Sequence, residues 1–474
     1  MTQRRKLLIA NEWIDAAETL IVRSPHTGEV VGEVARAGPV EMECAVEAAV
    51  RGFGESKKLS SIRRSEILSK AAAGLASRKE EMARTITSEN AKTIKLSRGE
   101  VDRGIATFTI AAEEAKRIGG EVLPLDLNAQ SEGRLGLTRR FPLGPIFGIS
   151  PFNFPLNLVS HKVAPSMAAG NTLVLKPASA TPLSAALLGE ILLEAGMLPG
   201  MVNVAPCRAE LADKLVADPR FKLVTFTGSP GVGWELKKKA GKKRVTLELG
   251  GNAAVIVEND ADLDLAVERA VTGSFAYSGQ ICISVQRIYL HEKIADEFTQ
   301  KFLDRTKKLV MGDPFDERTD IGPMIDETAL LRTQAWVDEA AKGGASVLCG
   351  GRRDGRYFPP TVVANVKPDM KIHCAEVFAP VVGLYRYQAF SAALAAVNDT
   401  PFGLQAGVFA RDIGRIFQAF ETLEVGGVIV NDVPTWRVDS MPYGGEKDSG
   451  QGREGIRYAI EEMTQLRLLA LNLK

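Results

Sequence analysis

The sequence predicts an α/β protein built on open parallel sheets. Strand-like and helix-like segments alternate from residue 146 to about residue 431, and 474 residues are too many for one ordinary core. Residues 40–117 instead carry apolar side chains at helical intervals, as at Ile67, Leu68 and Ala71, which predicts a block of helices. Such sheets bind ligands beyond the carboxyl ends of their strands, so polar residues at those ends are functional candidates.

The segment from 146 to 250 predicts strands and helices in strict turn. Thr181 and Pro182 predict the start of one helix, with the Thr181 side chain as its cap, and Gly196 predicts its end. The predicted strands are Ile146–Ile149, Thr172–Leu175, Val202–Val204, Leu223–Phe226 and Val245–Leu247, with Val255–Val257, Val285–Leu290, Val381–Tyr385 and Val428–Val430 in a second series.

Two further strand-like segments fall outside these series. Residues Arg134–Arg139 alternate polar with apolar or small side chains, and Leu466–Leu471 form an apolar tail. They are suited to pair across subunits as an arm, and equally to form an edge strand within one chain.

Composition narrows the classes of partner. The chain is 45% hydrophobic and 25% charged with a net charge of +1, so nothing in its charge favours nucleic acid or a membrane surface. Five cysteines and four histidines are scattered without CxxC spacing, so we expect no metal site. Neither a signal peptide nor a membrane-spanning run is recognisable, and we expect a cytoplasmic protein.

One cysteine and one glutamate are the strongest chemical candidates. Cys282 follows a Gly-containing loop and precedes a β-branched run, and Glu248 lies in the short segment Leu247–Gly251. A free cysteine alone is more often a small buried apolar residue. Together the two predict covalent thiol catalysis followed by base-assisted hydrolysis.

Three strand ends offer binding groups. The segment Phe226–Gly233 follows a predicted strand and begins a predicted helix, a position that suits a bound phosphate. Its glycines could equally serve a tight turn, and their spacing is not G-x-G-x-x-G. Lys176 is either a ribose or phosphate ligand or a solvated strand end. Asn153, between two prolines, is either an oxyanion donor or a turn residue.

In combination and order, seven motifs resemble the aldehyde dehydrogenase superfamily. They extend over about residues 150–450 and comprise Pro151–Pro155, Lys176–Ala178, Phe226–Ser229, Leu247–Gly251, Gly279–Cys282, Glu376–Pro380 and Pro442–Gly445. The resemblance implies two parallel-sheet domains and a strand arm that forms homodimers or homotetramers. On this basis we expect a dinucleotide-binding domain at 1–120 and 142–250, a catalytic domain at 251–447, and an arm at 121–141 and 448–474.

The resemblance also implies roles for single residues. Cys282 would attack the aldehyde, Asn153 would hold the oxyanion, and Glu248 would activate the water that hydrolyses the thioester. The cofactor, NADP or NAD, would contact Ser150, Pro151, Phe152, Lys176, Ser179, Gly228, Ser229, Gly233, Leu249, Glu376 and Phe378.

One position departs from a common family pattern. Many members carry Glu where this chain has Ser179, three residues after Lys176. A carboxylate would repel the 2′-phosphate of NADP, whereas a hydroxyl can donate a hydrogen bond to it. We therefore expect NADP to be accepted.

The substrate is expected to be a small polar or anionic aldehyde. Residues 433–439 resemble the branch that acts on lactaldehyde, glyceraldehyde and phosphonate- or phosphate-bearing aldehydes. Arg437, Arg103 and Arg287 are candidates to clamp an anionic group, against the alternative of surface or interdomain salt bridges.

Two other functions remain open. A CoA-acylating semialdehyde dehydrogenase would transfer the acyl group to CoA, but such members commonly lack the base found here as Glu248. A silent binding or structural homologue predicts damage at Cys282, Glu248 or Asn153, and all three are intact.

Overall fold

A computed structural model describes residues 4–474. Its helices are α1 (Pro39–Ser56), α2 (Ser61–Ser77), α3 (Lys79–Asn90), α4 (Ile94–Glu114), α5 (Asn157–Ala169), α6 (Leu183–Glu194), α7 (Ala209–Val216), α8 (Pro230–Lys239), α9 (Leu263–Phe275), α10 (Ala295–Thr306), α11 (Glu327–Lys342), α12 (Lys371–Cys374), α13 (Phe390–Asn398), α14 (Ile413–Thr422) and α15 (Ile456–Glu462).

The strands form two large sheets and three small ones. In chain order they are β1 (Leu7–Ile9), β2 (Glu12–Ile14), β3 (Glu18–Arg23), β4 (Val30–Arg36), β5 (Val122–Pro124), β6 (Arg134–Pro142), β7 (Pro145–Ile149), β8 (Thr172–Lys176), β9 (Val202–Val204), β10 (Leu223–Thr227), β11 (Arg244–Glu248), β12 (Ala253–Val257), β13 (Val285–His291), β14 (Ser346–Cys349), β15 (Thr361–Ala364), β16 (Val381–Tyr387), β17 (Phe402–Gly403), β18 (Gln405–Phe409), β19 (Gly427–Val430), β20 (Glu446–Lys447), β21 (Gly450–Gln451) and β22 (Thr464–Asn472).

The first large sheet has the order β2-β1-β9-β8-β7-β10-β11-β21. Strands β9, β8, β7, β10 and β11 are parallel, while β1 pairs antiparallel with β9, β2 with β1, and β21 with β11. The chain builds outward from β7 in both directions, so the strand order reverses between β7 and β10. Ligands of open α/β sheets bind at this reversal, beyond the carboxyl ends of the strands.

Side chains alternate between the two faces of this sheet and enter two separate cores. Leu173 and Leu175 of β8 pack with α2 to α6 on one face, whereas Val174 packs with α1, α7 and α8 on the other. The block of helices predicted for residues 40–117 is present as α1 to α4. Both faces are therefore covered, as the alternating pattern predicted.

The second large sheet has the order β14-β15-β16-β13-β12-β18-β19, in which only β14 is antiparallel. The chain leaves the carboxyl end of β11 at Glu248 and enters the amino end of β12 at Ala253. The carboxyl edge of the first sheet consequently lies next to the amino edge of the second. Loops that precede β13 and β16 meet loops that follow β7 and β11.

The arm is a three-stranded sheet in which β22 pairs with β6 along nine residues, from Thr464↔Pro142 to Asn472↔Arg134, and β6 pairs with β5. Of the two alternatives for these strands, the structure shows pairing within one chain. The predicted arm boundary at 448 is too early, because β21 pairs with β11 and α15 packs on α4 and α5. Only β22 from that segment belongs to the arm.

The predicted cap of α6 is wrong. The helix begins at Leu183 after Pro182, and the Thr181 hydroxyl has no hydrogen-bond partner within residues 4–474. The buried carboxylate of Glu89 accepts the backbone N–H groups of Leu183 (2.7 Å) and Ser184 (3.0 Å) instead. A carboxyl group from another helix thus satisfies this terminus, and burial raises the pKa of Glu89 to about 8. The predicted end is confirmed, since Gly196 has a φ of +83°.

Among the described residues, no helix is both long and apolar enough to cross a membrane. Within the same residues, no group of three or more His, Cys, Asp or Glu side chains is arranged to hold a metal ion.

Candidate active site

Cys282 lies in the loop between α9 and β13, directly after a tight turn. Tyr277, Ser278 and Gly279 have φ values of 49°, 53° and 67°. A Cβ atom on Gly279 would collide with the carbonyl oxygen of Ala379, so the turn can pack here only with glycine. The loop that carries the cysteine is thereby held against the segment that precedes β16.

The Cys282 thiol is half-buried and lies 3.0 Å from the hydroxyl of Tyr443. Burial raises the pKa of the thiol to about 12, and the hydrogen bond with Tyr443 acts in the opposite direction. A Cβ atom on Gly251 would collide with the Cys282 carbonyl oxygen. The glycine pair after Glu248 therefore lets the two motifs meet.

Glu248 is the last residue of β11 and is buried. Neither of its carboxylate oxygens has a hydrogen-bond partner among residues 4–474. Burial and the charge of Glu454 raise its pKa well above the ordinary value, against the opposing charges of Arg437 and Lys162. A buried carboxyl of raised pKa is suited to exchange a proton near neutral pH.

Asn153 follows β7 and is also buried. Its Nδ2 donates to the carbonyl oxygen of Gln280 at 3.0 Å, which uses one of its two amide hydrogens. Its Oδ1 has no partner within the described chain. The structure thus brings Asn153, Cys282 and Glu248 to the boundary between the two large sheets.

A buried ion pair that no sequence motif indicates supports the Asn153 loop. The pair consists of Lys92 and Glu100, whose side chains are 1% exposed. The Lys92 ammonium donates to the Asn153 carbonyl oxygen at 2.8 Å and lies 3.6 Å from the ring centre of Phe154. The second oxygen of Glu100 accepts the backbone N–H of Leu156 at 3.0 Å. Isolated charged residues in a helical region carry no local signal of such a role.

Two more buried charged residues near Glu248, Lys162 and Glu454, were not predicted from the sequence. Lys162 on α5 donates to the hydroxyls of Thr225 (3.1 Å) and Thr227 (2.7 Å) on β10. Its ammonium is 3.6 Å from a carboxylate oxygen of Glu454, which precedes α15. Every residue of α5 is buried, and the many small and apolar residues around Lys162 are the sequence signal that could have identified it as a buried charge.

The expected cofactor residues line the carboxyl edge of the first sheet. Ser150, Pro151 and Phe152 follow β7, and Gly228 and Ser229 follow the adjacent β10. Ser229 precedes α8 and its side chain makes no cap bond, while the Ser150 hydroxyl is buried without a partner among residues 4–474. Unsatisfied N–H groups at a helix start and a free hydroxyl at the strand reversal fit a dinucleotide phosphate.

Other cofactor candidates flank this reversal. A Cβ atom on Gly233 would collide with the Leu249 side chain, so glycine allows α8 to approach the end of β11. Lys176 ends β8, and burial lowers the pKa of its ammonium. Ser179, three residues further, is exposed.

Glu376 and Phe378 reach the same region from the second sheet. The Glu376 carboxylate accepts the Gly251 N–H at 3.0 Å, and burial raises its pKa to about 7. Phe378 has a φ of 51°, and its ring meets that of Phe152 edge to face with centroids 6.0 Å apart. The loops of both sheets therefore meet at the carboxyl edge of the first sheet, and their side chains suit NAD or NADP.

Arg437 contacts Tyr443 beside the nucleophile, and Arg103 contacts Asp439 further along the same cluster of charged side chains. The Arg437 guanidinium stacks 3.6 Å from the ring centre of Tyr443, and its Nη2 is 3.3 Å from a Glu454 oxygen. Its Nε has no partner within residues 4–474. Arg103 on α4 donates two hydrogen bonds to the Asp439 carboxylate, at 2.7 and 3.3 Å. The Arg103 side chain is 29% exposed.

Asp439 links Arg103 to His161, whose Nε2 is 2.8 Å from an Asp439 carboxylate oxygen. Burial disfavours the ionised form of Asp439, but hydrogen bonding from His161 and the charge of Arg103 hold its pKa below the ordinary value. The same His161 nitrogen is 3.3 Å from Arg437.

Arg287 does not belong to this group, which corrects its prediction as a substrate residue. Its side chain is fully buried in β13, and it donates to the carbonyl oxygens of Asn252 (2.9 Å), Ala396 (3.1 Å) and Val397 (3.2 Å). Its remaining contact is the Tyr289 hydroxyl at 3.2 Å. Because these bonds join the second sheet to the end of α13, Arg287 is a structural residue.

Comparisons with known proteins agree with this geometry. The model of the aldehyde dehydrogenase family matches residues 13–469. A 3-sulfolactaldehyde dehydrogenase of Priestia aryabhattai is 45% identical over 468 residues, which cover 98% of each chain.

Two solved structures superpose on the whole chain. Aldehyde dehydrogenase 21 from Physcomitrella patens, in complex with the reaction product succinate, is 45% identical with a TM-score of 0.98 and covers 100% of this chain and 99% of that one. An NADP-dependent glyceraldehyde-3-phosphate dehydrogenase from Bacillus halodurans, complexed with NADP, is 34% identical with a TM-score of 0.97 over 100% of both chains.

The resemblance carried by the seven motifs is therefore confirmed along nearly the full length. The chain is an oxidoreductase that acts on aldehydes with NAD or NADP, and it belongs to the aldehyde dehydrogenase family.

Proposed function

We propose that this enzyme oxidises a small aldehyde with an anionic end to its carboxylic acid, through a thioester on Cys282. One observation carries the proposal: Tyr443 contacts both the Cys282 sulfur, through its hydroxyl, and the Arg437 guanidinium, through its ring. A cation is therefore one side chain away from the nucleophile. A short substrate would span that distance.

In the first half-reaction, the Cys282 thiolate forms a bond to the aldehyde carbon, and the carbonyl electron pair moves to oxygen. The free amide hydrogen of Asn153 and the backbone N–H of Cys282 would donate to that oxyanion. Bound NAD or NADP supplies the hydride acceptor. Loss of hydride restores the carbonyl as a thioester on Cys282.

In the second half-reaction, Glu248 takes a proton from water as the water oxygen attacks the thioester. The carbon–sulfur bond breaks, the acid leaves, and the thiolate is regenerated. The unpartnered Glu248 carboxylate supports this role, because nothing in the described chain competes for its oxygens. The positive charges of Lys162 and Arg437 oppose the negative charge of Glu454, which lies near Glu248.

The cofactor would be held by the cleft between the sheets. Lys176 and Ser179 would contact the adenosine ribose or its phosphate, Gly228 and Ser229 the pyrophosphate, and Glu376 the second ribose. The exposed Ser179 hydroxyl in place of a carboxylate supports use of NADP. Accordingly, residues 4–120 and 142–250 would form the cofactor-binding domain and 251–447 the catalytic domain.

Three relatives support an anionic substrate. Sulfolactaldehyde bears a sulfonate, succinate a second carboxylate, and glyceraldehyde-3-phosphate a phosphate. Arg437, with its free Nε, and Arg103, at the partly exposed edge of the same network, are the groups that would meet such an anion.

A spectrophotometric screen tests this proposal. NAD(P)H formation is followed with sulfo-, carboxy- and phospho-aldehydes and with lactaldehyde as the neutral control, each with NAD and with NADP. Arg437→Gln should raise KM for the anionic aldehydes about tenfold or more and change that for lactaldehyde little, since one charge-assisted contact is lost. Arg437→Lys should recover part of the loss, and Arg457→Gln on the exposed face of α15 is the matched control.

An equal rise in KM for neutral and anionic aldehydes on Arg437→Gln would overturn the anionic assignment. The thioester mechanism has its own test: Cys282→Ala must abolish turnover, and added CoA must leave the rate unchanged. Turnover that requires CoA would favour acyl transfer over hydrolysis.

The arm would join subunits into a dimer or tetramer. On β22, the side chains of Leu466, Leu468 and Leu469 are each more than half exposed, a surface that a monomer would leave in water. Light scattering of the wild type and of Leu468→Asp is the test; a monomeric wild type would refute it.

We place the enzyme in the cytoplasm, where a reducing environment protects a catalytic thiol, and cell fractionation checks this.

A further inference from the structure

The Tyr443 hydroxyl lies against the nucleophile but has no part in the two half-reactions as proposed. The side chain is 2% exposed, and its hydroxyl lies 3.0 Å from the Cys282 sulfur. Its backbone pairs in both directions with Glu454, at 3.1 and 2.6 Å, and Arg437 covers one face of the ring. The phenol is therefore aimed at the sulfur with little freedom to turn away.

The surroundings of the sulfur otherwise oppose ionisation. Burial disfavours the thiolate, and the carboxylates of Glu376 and Glu248 add repulsion; the opposing influences are the hydrogen bond with Tyr443 and the charge of Arg437. Only the thiolate attacks an aldehyde. The site therefore needs a group that favours the anion more than the thiol.

We propose that Tyr443 is a further catalytic residue, whose hydroxyl donates a hydrogen bond to the Cys282 thiolate and so increases the fraction of reactive sulfur. The inference rests on the proposed role of Cys282 as nucleophile. Stacked Arg437 strengthens the donor, because a cation on the ring face withdraws electron density from the phenol. When the C–S bond forms, the same hydroxyl remains beside the sulfur that must later leave.

The test uses Tyr443→Phe in the full-length enzyme, with Tyr458→Phe on α15 as the matched control outside the site. Iodoacetamide labelling of the Cys282 peptide is followed by mass spectrometry across pH, without substrate. At pH values below the thiol pKa, Tyr443→Phe should label about tenfold more slowly, since a hydrogen bond to a charged group is lost. The profile should shift upward by about one pH unit, and the ultraviolet absorbance of the thiolate should shift with it.

Kinetics separate this role from a structural one. Tyr443→Phe should lower kcat/KM for lactaldehyde and for anionic aldehydes alike, whereas a loss confined to anionic aldehydes would mean that Tyr443 merely holds Arg437, which would overturn the inference. Unchanged labelling would also overturn it, as would faster labelling, which would show that the thiol donates to the phenol. Failure of the proposed function is distinguishable, because it would appear as turnover by Cys282→Ala.

Discussion

Substitution of Lys92 is expected to lower both the free energy of unfolding and kcat. Lys92→Met leaves Glu100 buried without its cation, and breaking a buried pair from one side costs about 3–5 kcal/mol. The Asn153 carbonyl also loses a 2.8 Å hydrogen bond, and the cation is lost from between the rings of Phe154 and Tyr277, at 3.6 and 4.6 Å. We therefore expect kcat to fall as well, because Lys92 contacts the loops of both Asn153 and Cys282.

A double-mutant cycle with Glu100→Gln measures the coupling. The glutamine can still accept the backbone N–H groups of Leu156 and Asn157, so the double variant should lose less free energy of unfolding than the two single variants added together. Urea unfolding gives the free energies, and steady-state kinetics at saturating cofactor gives kcat. Additive losses, or a Lys92→Met cost below about 1 kcal/mol, would refute the reasoning.

Three further variants test the roles of Glu376, Ser179 and Arg287. Burial raises the pKa of Glu376 to about 7, and the ionised carboxylate is the better acceptor for ribose hydroxyls. KM for the cofactor should therefore fall as pH rises through about 7. In an initial-rate assay, Glu376→Gln should flatten this pH dependence. Ser179→Glu should lower kcat/KM for NADP at least about tenfold while sparing NAD, and equal effects on both cofactors would contradict the assignment. Arg287→Met should cost at least about 2 kcal/mol of unfolding free energy in urea and leave KM for anionic aldehydes unchanged, since it leaves three carbonyl groups unsatisfied.

Local patterns were sufficient for most of the architecture. The apolar runs of β7, β8 and β10 and the glycine after α6 follow from periodicity and backbone preference, which act over a few residues. Cys282 and Glu248 could also be identified as candidates from local sequence, because each is a reactive residue type close to glycines. The order of seven motifs then identified the family.

What decided the rest was contact between residues far apart in the chain. Glu89 replaced Thr181 as the cap of α6, Arg287 turned inward, and Lys92 reached the Asn153 carbonyl from 61 residues away. A buried charge is stable only where partners compensate its desolvation, and those partners are known only once helices and sheets have packed. Residue types and spacing therefore determined the chemistry available to this protein, whereas tertiary packing determined which charged groups surround the sulfur and which merely hold the fold together.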